Sequence, residues 1–513
     1  METNSFGYSI VCFLFNFAYL QRYIAVISAL QRNLREMLFN SFEFLIFLPI
    51  VFLLYWFVFK PLKWQNLFIV AASYLFYGWW DARFLILIAF TTFCSFGSGI
   101  LLEKKEGDRS LQKWISVANI LLNLLVLAIF KYYNFFAENF AQLFLTFGLQ
   151  LDWVTLDILL PVGISFYTFQ ALSYTIDVYQ HKMKPTHDIV AFFAFISFFP
   201  QLVAGPIERA TNLLPQFLRS RSFDYAKATD GMRQILWGLF KKLVIADNCA
   251  VAVNQIFENY YQYDSLTLFY GAVLFTFQIY GDFSGYSDIA IGTARLFGIN
   301  LMRNFNFPYF SRDIAEFWRR WHISLTTWFR DYIYIPLGGS RGGKWQSFRN
   351  TVVIFLVSGL WHGANWTFIC WGAFHALLFL PLLLLGRNRR FTDVVAKGKK
   401  LPTLRETIQM ICTFILVVLG WIIFRSGTIY DAWQYIVRMI TNGHFEIPQQ
   451  GKMACMFIAV LILVEWIQRD KQHALQLDGQ IKSPLLRYAI YYAIISVLFW
   501  QAGQSTQFIY FQF

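Results

Sequence analysis

Two histidines hold the reactive possibilities of this chain. His362 closes an apolar run in SGLWHGANWTF (358–368), among aromatics and glycines, and His322 follows two arginines in RRWHIS (319–324). Imidazole is the side chain that takes and gives protons near neutral pH, so either residue suits proton transfer. For a lone histidine the plainer role is a core side chain bonded to a helix carbonyl. His181, His187, His444 and His473 stand in loops at spacings that suit no metal set, and His375 reads as structural. There is no serine-centred elbow, P-loop or zinc motif, so neither a serine acyl-enzyme nor a metal is expected.

The elements that must position these residues are built for lipid. The chain has 513 residues, 57% hydrophobic and 20% aromatic, with 14% charged. Soluble proteins carry about a quarter charged residues. A hydrophobic share this high over the whole length implies an all-α polytopic membrane protein. The net charge of +13 does not point to nucleic acid, because the lysines and arginines sit in short loops between apolar runs. That is the usual orientation signal of membrane proteins. The six cysteines, Cys12, Cys94, Cys249, Cys370, Cys412 and Cys455, show no CxxC spacing and read as small core residues.

A helix crosses the hydrocarbon core with about 20 apolar residues. Eleven candidates lie near 42–59, 65–80, 84–102, 114–130, 156–179, 243–257, 266–281, 366–386, 406–424, 453–467 and 488–503. Loops 60–63, 103–113, 181–188, 303–349, 386–400 and 469–472 are basic, whereas 132–155 and 258–265 lack lysine and arginine. Alternation places the basic loops in the cytoplasm and both ends of a chain starting at Met37 outside. Residues 1–36 make a poor signal peptide, and Met37 opens a cleaner first helix. We therefore expect an N-terminal extension over 1–36 and one transmembrane domain over 37–513.

Two segments break the pattern. Residues 189–207 are interrupted by Pro200, Gly205 and Pro206, and 350–386 turn at Gly363-Ala364-Asn365; both have basic flanks on each side. Each is expected to be re-entrant, since irregular backbone at membrane depth survives only inside protein or along a wet cavity. A first limb of a dozen residues rises about 18 Å, leaving His362 at the turn. An ionisable residue at that depth is a functional candidate by default. Around His322, the three- and four-residue spacing of Phe317, Trp318, Trp321, Leu325 and Trp328 predicts an amphipathic helix at the cytoplasmic interface.

Several long motifs resemble one family. DFSGYSDIAIG (282–292), RNFNFPYFSRDIAEFWRRWHISLTTWFRDYIYIPLGGSRGG (303–343) and SGLWHGANWTFICWGAFHA (358–376) are similar to the membrane-bound O-acyltransferases, within them to the bacterial alginate O-acetyltransferase branch. LPVGISFYTFQALSYTIDVY (160–179), FFPQLVAGPIERA (198–210), WIIFRS (421–426) and the terminal FIYFQF fit the same branch.

The resemblance implies a helical bundle around a central funnel or tunnel in the bacterial inner membrane. There an acyl donor from the cytoplasm meets an acceptor hydroxyl. It maps the family's two histidines onto His322 and His362. Acyl transfer to an alcohol removes the hydroxyl proton as the new bond forms, and a neutral imidazole can take it. His362 suits that general base. His322 is either the second member of a base pair or a donor to the thioester oxygen. Arg319, Arg320 and Arg330 suit a phosphorylated donor, or else lipid phosphates and orientation. Asp288 and Asp331 are candidates to orient a histidine or contact substrate, with capping or pairing to Arg330 as the plainer role, and Asn365 is a candidate at the turn.

No bound cofactor is implied. The donor the resemblance implies is acetyl-CoA or an acyl carrier thioester, and the acceptor it implies is a carbohydrate such as alginate or a cell-wall glycan. The resemblance also implies a partner with an extracytoplasmic serine-hydrolase-like (SGNH-type) domain, for which the outer loops of this chain are too short. D-alanyl transfer to an envelope polymer and transport without chemistry are the alternatives.

Overall fold

The computed structural model describes residues 37–150, 160–203, 205–443, 446–501, 506, 508 and 509. The expected N-terminal extension, 1–36, and His444 lie outside the described residues. Every helix or strand among the described residues is helical. Compact packing parts the chain at Leu48–Pro49, and all the candidate site residues belong to the second part.

Four described helices have the length and apolarity to cross a membrane: Arg83–Lys104, Arg109–Thr146, Trp366–Leu384 and Leu404–Arg425. They coincide with four of the eleven expected segments. Of these, α1 is Arg83–Lys104. Next, α2 is Arg109–Leu127, capped by Asp108, whose carboxylate accepts the Leu111 N–H at 2.9 Å. It opens into a wider π-helical turn over Ala128–Tyr132 and continues to Thr146.

Helix α3, Ile164–Tyr179, packs against both. It is buried on nearly every side, so its polar residues need partners inside the protein. Asn119 of α2 donates to Thr175 at 2.7 Å, and Ser98 of α1 lies 3.3 Å from the same hydroxyl. Residues 189–207 do break as the prolines suggest. A helix over Ile189–Ser197 ends at Phe198, a short turn follows over Phe199–Leu202, and Phe192, Phe195, Phe198 and Phe199 are all buried.

A long helix, α4, runs Ser265–Leu296. Beyond it the structure departs from the sequence reading. In place of one interfacial helix there are two short ones, α5 (Ile314–Arg320) and α6 (Ile323–Phe329), with a break at Trp321-His322. His322 there has left-handed backbone, φ 43°. Phe317, Trp318, Trp321, Leu325 and Trp328 are all buried. An aromatic stripe at helical spacing serves a buried bend as well as an interface, and spacing alone does not separate them.

Helices α7 (Gly343–His362) and α8 (Trp366–Leu384) form the hairpin that carries the second histidine. Its first limb has 20 residues, roughly 30 Å at the standard rise. It is longer than the dozen expected because the polar stretch KWQSFRN is already helical. The limbs lie backbone to backbone. A Cβ on Gly359 would collide with the Phe368 carbonyl, and one on Gly372 with the Phe355 carbonyl. Small residues at such crossings permit close helix approach in membranes. Helix α9, Leu404–Arg425, packs on α8.

Candidate active site

His362 is the last residue of α7 and is buried. Its ring stands edge-on to Trp361 (4.9 Å between centroids), Trp371 of α8 (5.1 Å) and Phe424 of α9 (5.3 Å). Three helices thus converge on one imidazole. The C-terminal carbonyls of α7 gain an unexpected partner. Lys131, at the π-helical turn after α2, donates to the carbonyls of Trp361 (2.7 Å) and His362 (3.0 Å). Tyr132 donates to the Leu360 carbonyl at 2.9 Å. An amine donor at a helix C-terminus fills acceptors that the helix itself leaves without partners.

His322 is 1% exposed and held differently. Its Nδ1 lies 3.0 Å from Asn304 Oδ1. The same oxygen accepts from Ser324 Oγ (2.8 Å) and the Ser324 N–H (3.3 Å), and Asn304 Nδ2 donates to Ser287 Oγ of α4 at 3.1 Å. Phe283 of α4 stands edge-on at 4.7 Å. Trp361 lies between the two histidines, its centroid 5.9 Å from His322 and 4.9 Å from His362. Phe169 of α3 stacks on both Trp361 (5.7 Å) and Trp328 (4.0 Å), locking α3, α6 and α7 around the pair.

Two cavities reach the end of α7. A small one, about 70 Å³, is lined by His362, Trp361, Lys131, Gly163, Ser165 and Phe166. A larger one, about 570 Å³, is lined by Trp318, Ile323, Leu325 and Phe355, with Arg319, Arg330 and Arg389 also on its wall. It reaches Ser358, one turn before His362. The last turn of α7 therefore borders both.

The remaining candidates separate. Arg319 and Arg330 line the large cavity. Arg319 also donates to the carbonyls of Asn388 and Phe391 (2.6 Å). Arg320 is buried and occupied within the protein, paired with Glu316 at 2.8 Å and donating to the Asn306 and Asp393 carbonyls. Asp331 pairs with Arg209 (2.8 Å) and Arg330 (2.6 Å), and Asp288 with Lys241 (2.6 Å). Asn365 caps α8 through the Thr367 N–H and donates to the Gly427 carbonyl at 3.1 Å. His375 lies against Trp318, Trp371 and Phe317.

Sequence reasoning missed Lys131 and Asn304. Lys131 had a visible signal, a lone lysine inside the apolar stretch LLVLAIFKYYNFF. Asn304 had none, being one of two asparagines in an irregular RNFNF segment.

Two buried histidines thus flank Trp361 in an apolar helical protein, with His362 on the wall of the small cavity and the large cavity ending a turn earlier in α7. The chain belongs to the MBOAT, membrane-bound O-acyltransferase family, which residues 79–421 match. It is similar to the probable alginate O-acetylase AlgI of Pseudomonas aeruginosa, 40% identical over 81% of this chain and 77% of that one. The corresponding protein of Pseudomonas putida is 36% identical over 93% of this chain and all of its own. The peptidoglycan O-acetyltransferase of Helicobacter pylori is 30% identical over 93% and 98%. The chain is thus a membrane O-acyltransferase.

Proposed function

We propose that this enzyme moves an acetyl group from a cytoplasmic thioester, acetyl-CoA or an acyl carrier, toward hydroxyls of a polysaccharide outside the cytoplasm. It would do so from a bacterial inner membrane, as a bundle of about eleven spans around a central tunnel. The observation that carries this is the placement of His362 and His322 about Trp361, with the small cavity at His362 and the large one reaching Ser358.

The large cavity suits the donor. Arg319, Arg330 and Arg389 offer guanidinium forks to phosphate, and the apolar wall toward Ser358 suits the thinner acyl arm. The small cavity, with Lys131 and His362 on its wall, suits the acceptor hydroxyl. In the step itself the hydroxyl oxygen attacks the thioester carbonyl carbon and the C–S bond breaks. The hydroxyl proton passes to His362, with His322 assisting, and then to the departing thiolate, so charge and protons balance. An SGNH-type partner outside the cytoplasm would complete delivery to the glycan.

The test is thiol release from acetyl-CoA by the purified full chain, with and without an oligosaccharide acceptor. Acceptor-dependent release that disappears in His362→Ala is expected. Release from a D-alanyl carrier alone would move the enzyme to the D-alanyl class, and no release from any thioester would overturn the donor assignment.

A further inference from the structure

We infer that Asn304 is a positioning residue that fixes the tautomer of His322, so that Nε2 is presented as the proton-accepting nitrogen. This rests on the reading that His322 takes part in the transfer.

The argument begins with a group whose role is not adjustable. The Ser324 backbone N–H can only donate, and the atom it meets, at 3.3 Å, is Asn304 Oδ1. The other end of the amide, Nδ2, donates to Ser287 Oγ at 3.1 Å. The Ser324 contact fixes the amide orientation, which distance alone leaves open, and the Ser287 hydroxyl is compatible with it. An amide oxygen has lone pairs and no hydrogen. Nδ1 of His322, 3.0 Å from that oxygen, must therefore carry the ring proton.

Ser324 agrees with this assignment. Its Oγ gives its proton to Asn304 Oδ1 at 2.8 Å and accepts the Ile207 N–H at 3.0 Å. It can take a share of the His322 N–H at 3.4 Å but has no second proton to offer.

With the proton on Nδ1, Nε2 is a bare lone pair. It is buried, and among the described residues nothing bonds to it. Unbonded ring nitrogens also occur on His375 and His473, so what sets His322 apart is the amide oxygen that fixes which of its nitrogens is bare. Two further features fit a ring held for that purpose. Asn304 is fully buried, with its carbonyl accepting the Ile323 N–H at 2.9 Å. The His322 backbone is in the left-handed region, which non-glycine residues occupy at a cost where the surroundings impose it.

The consequence is a choice between the two roles open to His322. In this tautomer it can accept a proton through Nε2, and it has none to give the thioester oxygen until it has accepted one. It therefore belongs to the base pair. Once protonated, it keeps the same Nδ1–H bond, so the amide dipole supports the cation it forms.

The experiment is nitrogen NMR on the full chain in detergent, with ¹⁵N-labelled histidine and the His322 signals identified by their loss in His322→Gln. The wild type should show a pyrrole-type Nδ1 and a pyridine-type Nε2. Asn304→Leu should shift His322 toward the other tautomer and lower kcat about a hundredfold, the lower end of what a positioned base provides, with the donor KM within about twofold. Asn304→Asp keeps an acceptor facing Nδ1, so it should retain the tautomer and most of kcat, with the acid limb of the pH profile moved upward. A wild-type His322 protonated on Nε2 would overturn the inference, and that result needs no folded variant. An unchanged tautomer in Asn304→Leu would overturn it as well. A retained tautomer assignment with full turnover in His322→Ala would leave Asn304 as the orienter and sink the catalytic reading instead.

Discussion

The two histidines both contact Trp361, and their rings are held by different means. His362 is gripped by packing: three aromatic rings from α7, α8 and α9, on a hairpin whose limbs meet at glycines. His322 is gripped by hydrogen bonds through Asn304, Ser324 and Ser287, at a break between two short helices. Packing is tolerant in direction but intolerant of volume. A hydrogen-bond network is the reverse, because a buried amide or hydroxyl left unpaired is expensive whatever its size. The packing around the His362 ring should therefore fail when something is added, and the network around the His322 ring when a donor or acceptor is taken away.

The largest effect should come from the bases themselves. His362→Ala removes the proton acceptor from a turn that can close over a smaller side chain. Thiol release should fall by about 10²–10⁴-fold, while the protein stays monodisperse in detergent. Near wild-type release would show that the proton leaves by another route.

Next is the hairpin. Gly359→Val places side-chain atoms where the Phe368 carbonyl already lies, and overpacking costs about 1–3 kcal/mol. A lower thermal midpoint is expected, and an unshifted one would mean the limbs can separate freely. Ser324→Ala makes the contrast. It adds nothing but removes a donor to Asn304 and an acceptor for Ile207, with a stability loss of about 1 kcal/mol.

Lys131→Met keeps the length of the side chain and removes its two bonds to the end of α7. About a tenfold loss in kcat is expected, from a misplaced His362 and about 1–3 kcal/mol of unsatisfied carbonyls. An unchanged kcat would separate Lys131 from the site.

The smallest effect belongs to the rim of the large cavity. Arg330 is exposed and pairs with Asp331, and such pairs are worth about 0.2–1 kcal/mol. Arg330→Ala should raise the donor KM by about threefold with kcat unchanged. A fall in kcat instead would move Arg330 nearer to the chemistry.

The same contrast explains what was readable in the sequence. His362 announced itself, since an ionisable residue that ends an apolar run and is followed by a Gly-Ala-Asn turn has few places to go. The turn at Gly363 and four of the spanning segments were visible for the same reason, because burial and close approach restrict residue type locally. The surroundings of His322 depend on a residue eighteen positions upstream, arriving from an irregular segment with no period to detect. Its aromatic neighbours at helical spacing even suggested a continuous helix. Lys131 fell at the edge of an expected span, where it passed as an ordinary end residue. The first limb of the hairpin was underestimated because polar residues inside a helix resemble the loop before it.

The most direct test of the central claim, that the two differently held histidines serve one step, is a double-mutant cycle. Thiol release would be measured for His362→Ala, His322→Ala and the pair, on protein shown to be monodisperse. Residues that act as a unit are grossly non-additive. The double mutant should release thiol at a rate close to that of the poorer single mutant. Losses that add in free energy would contradict the account and place the two histidines in separate steps.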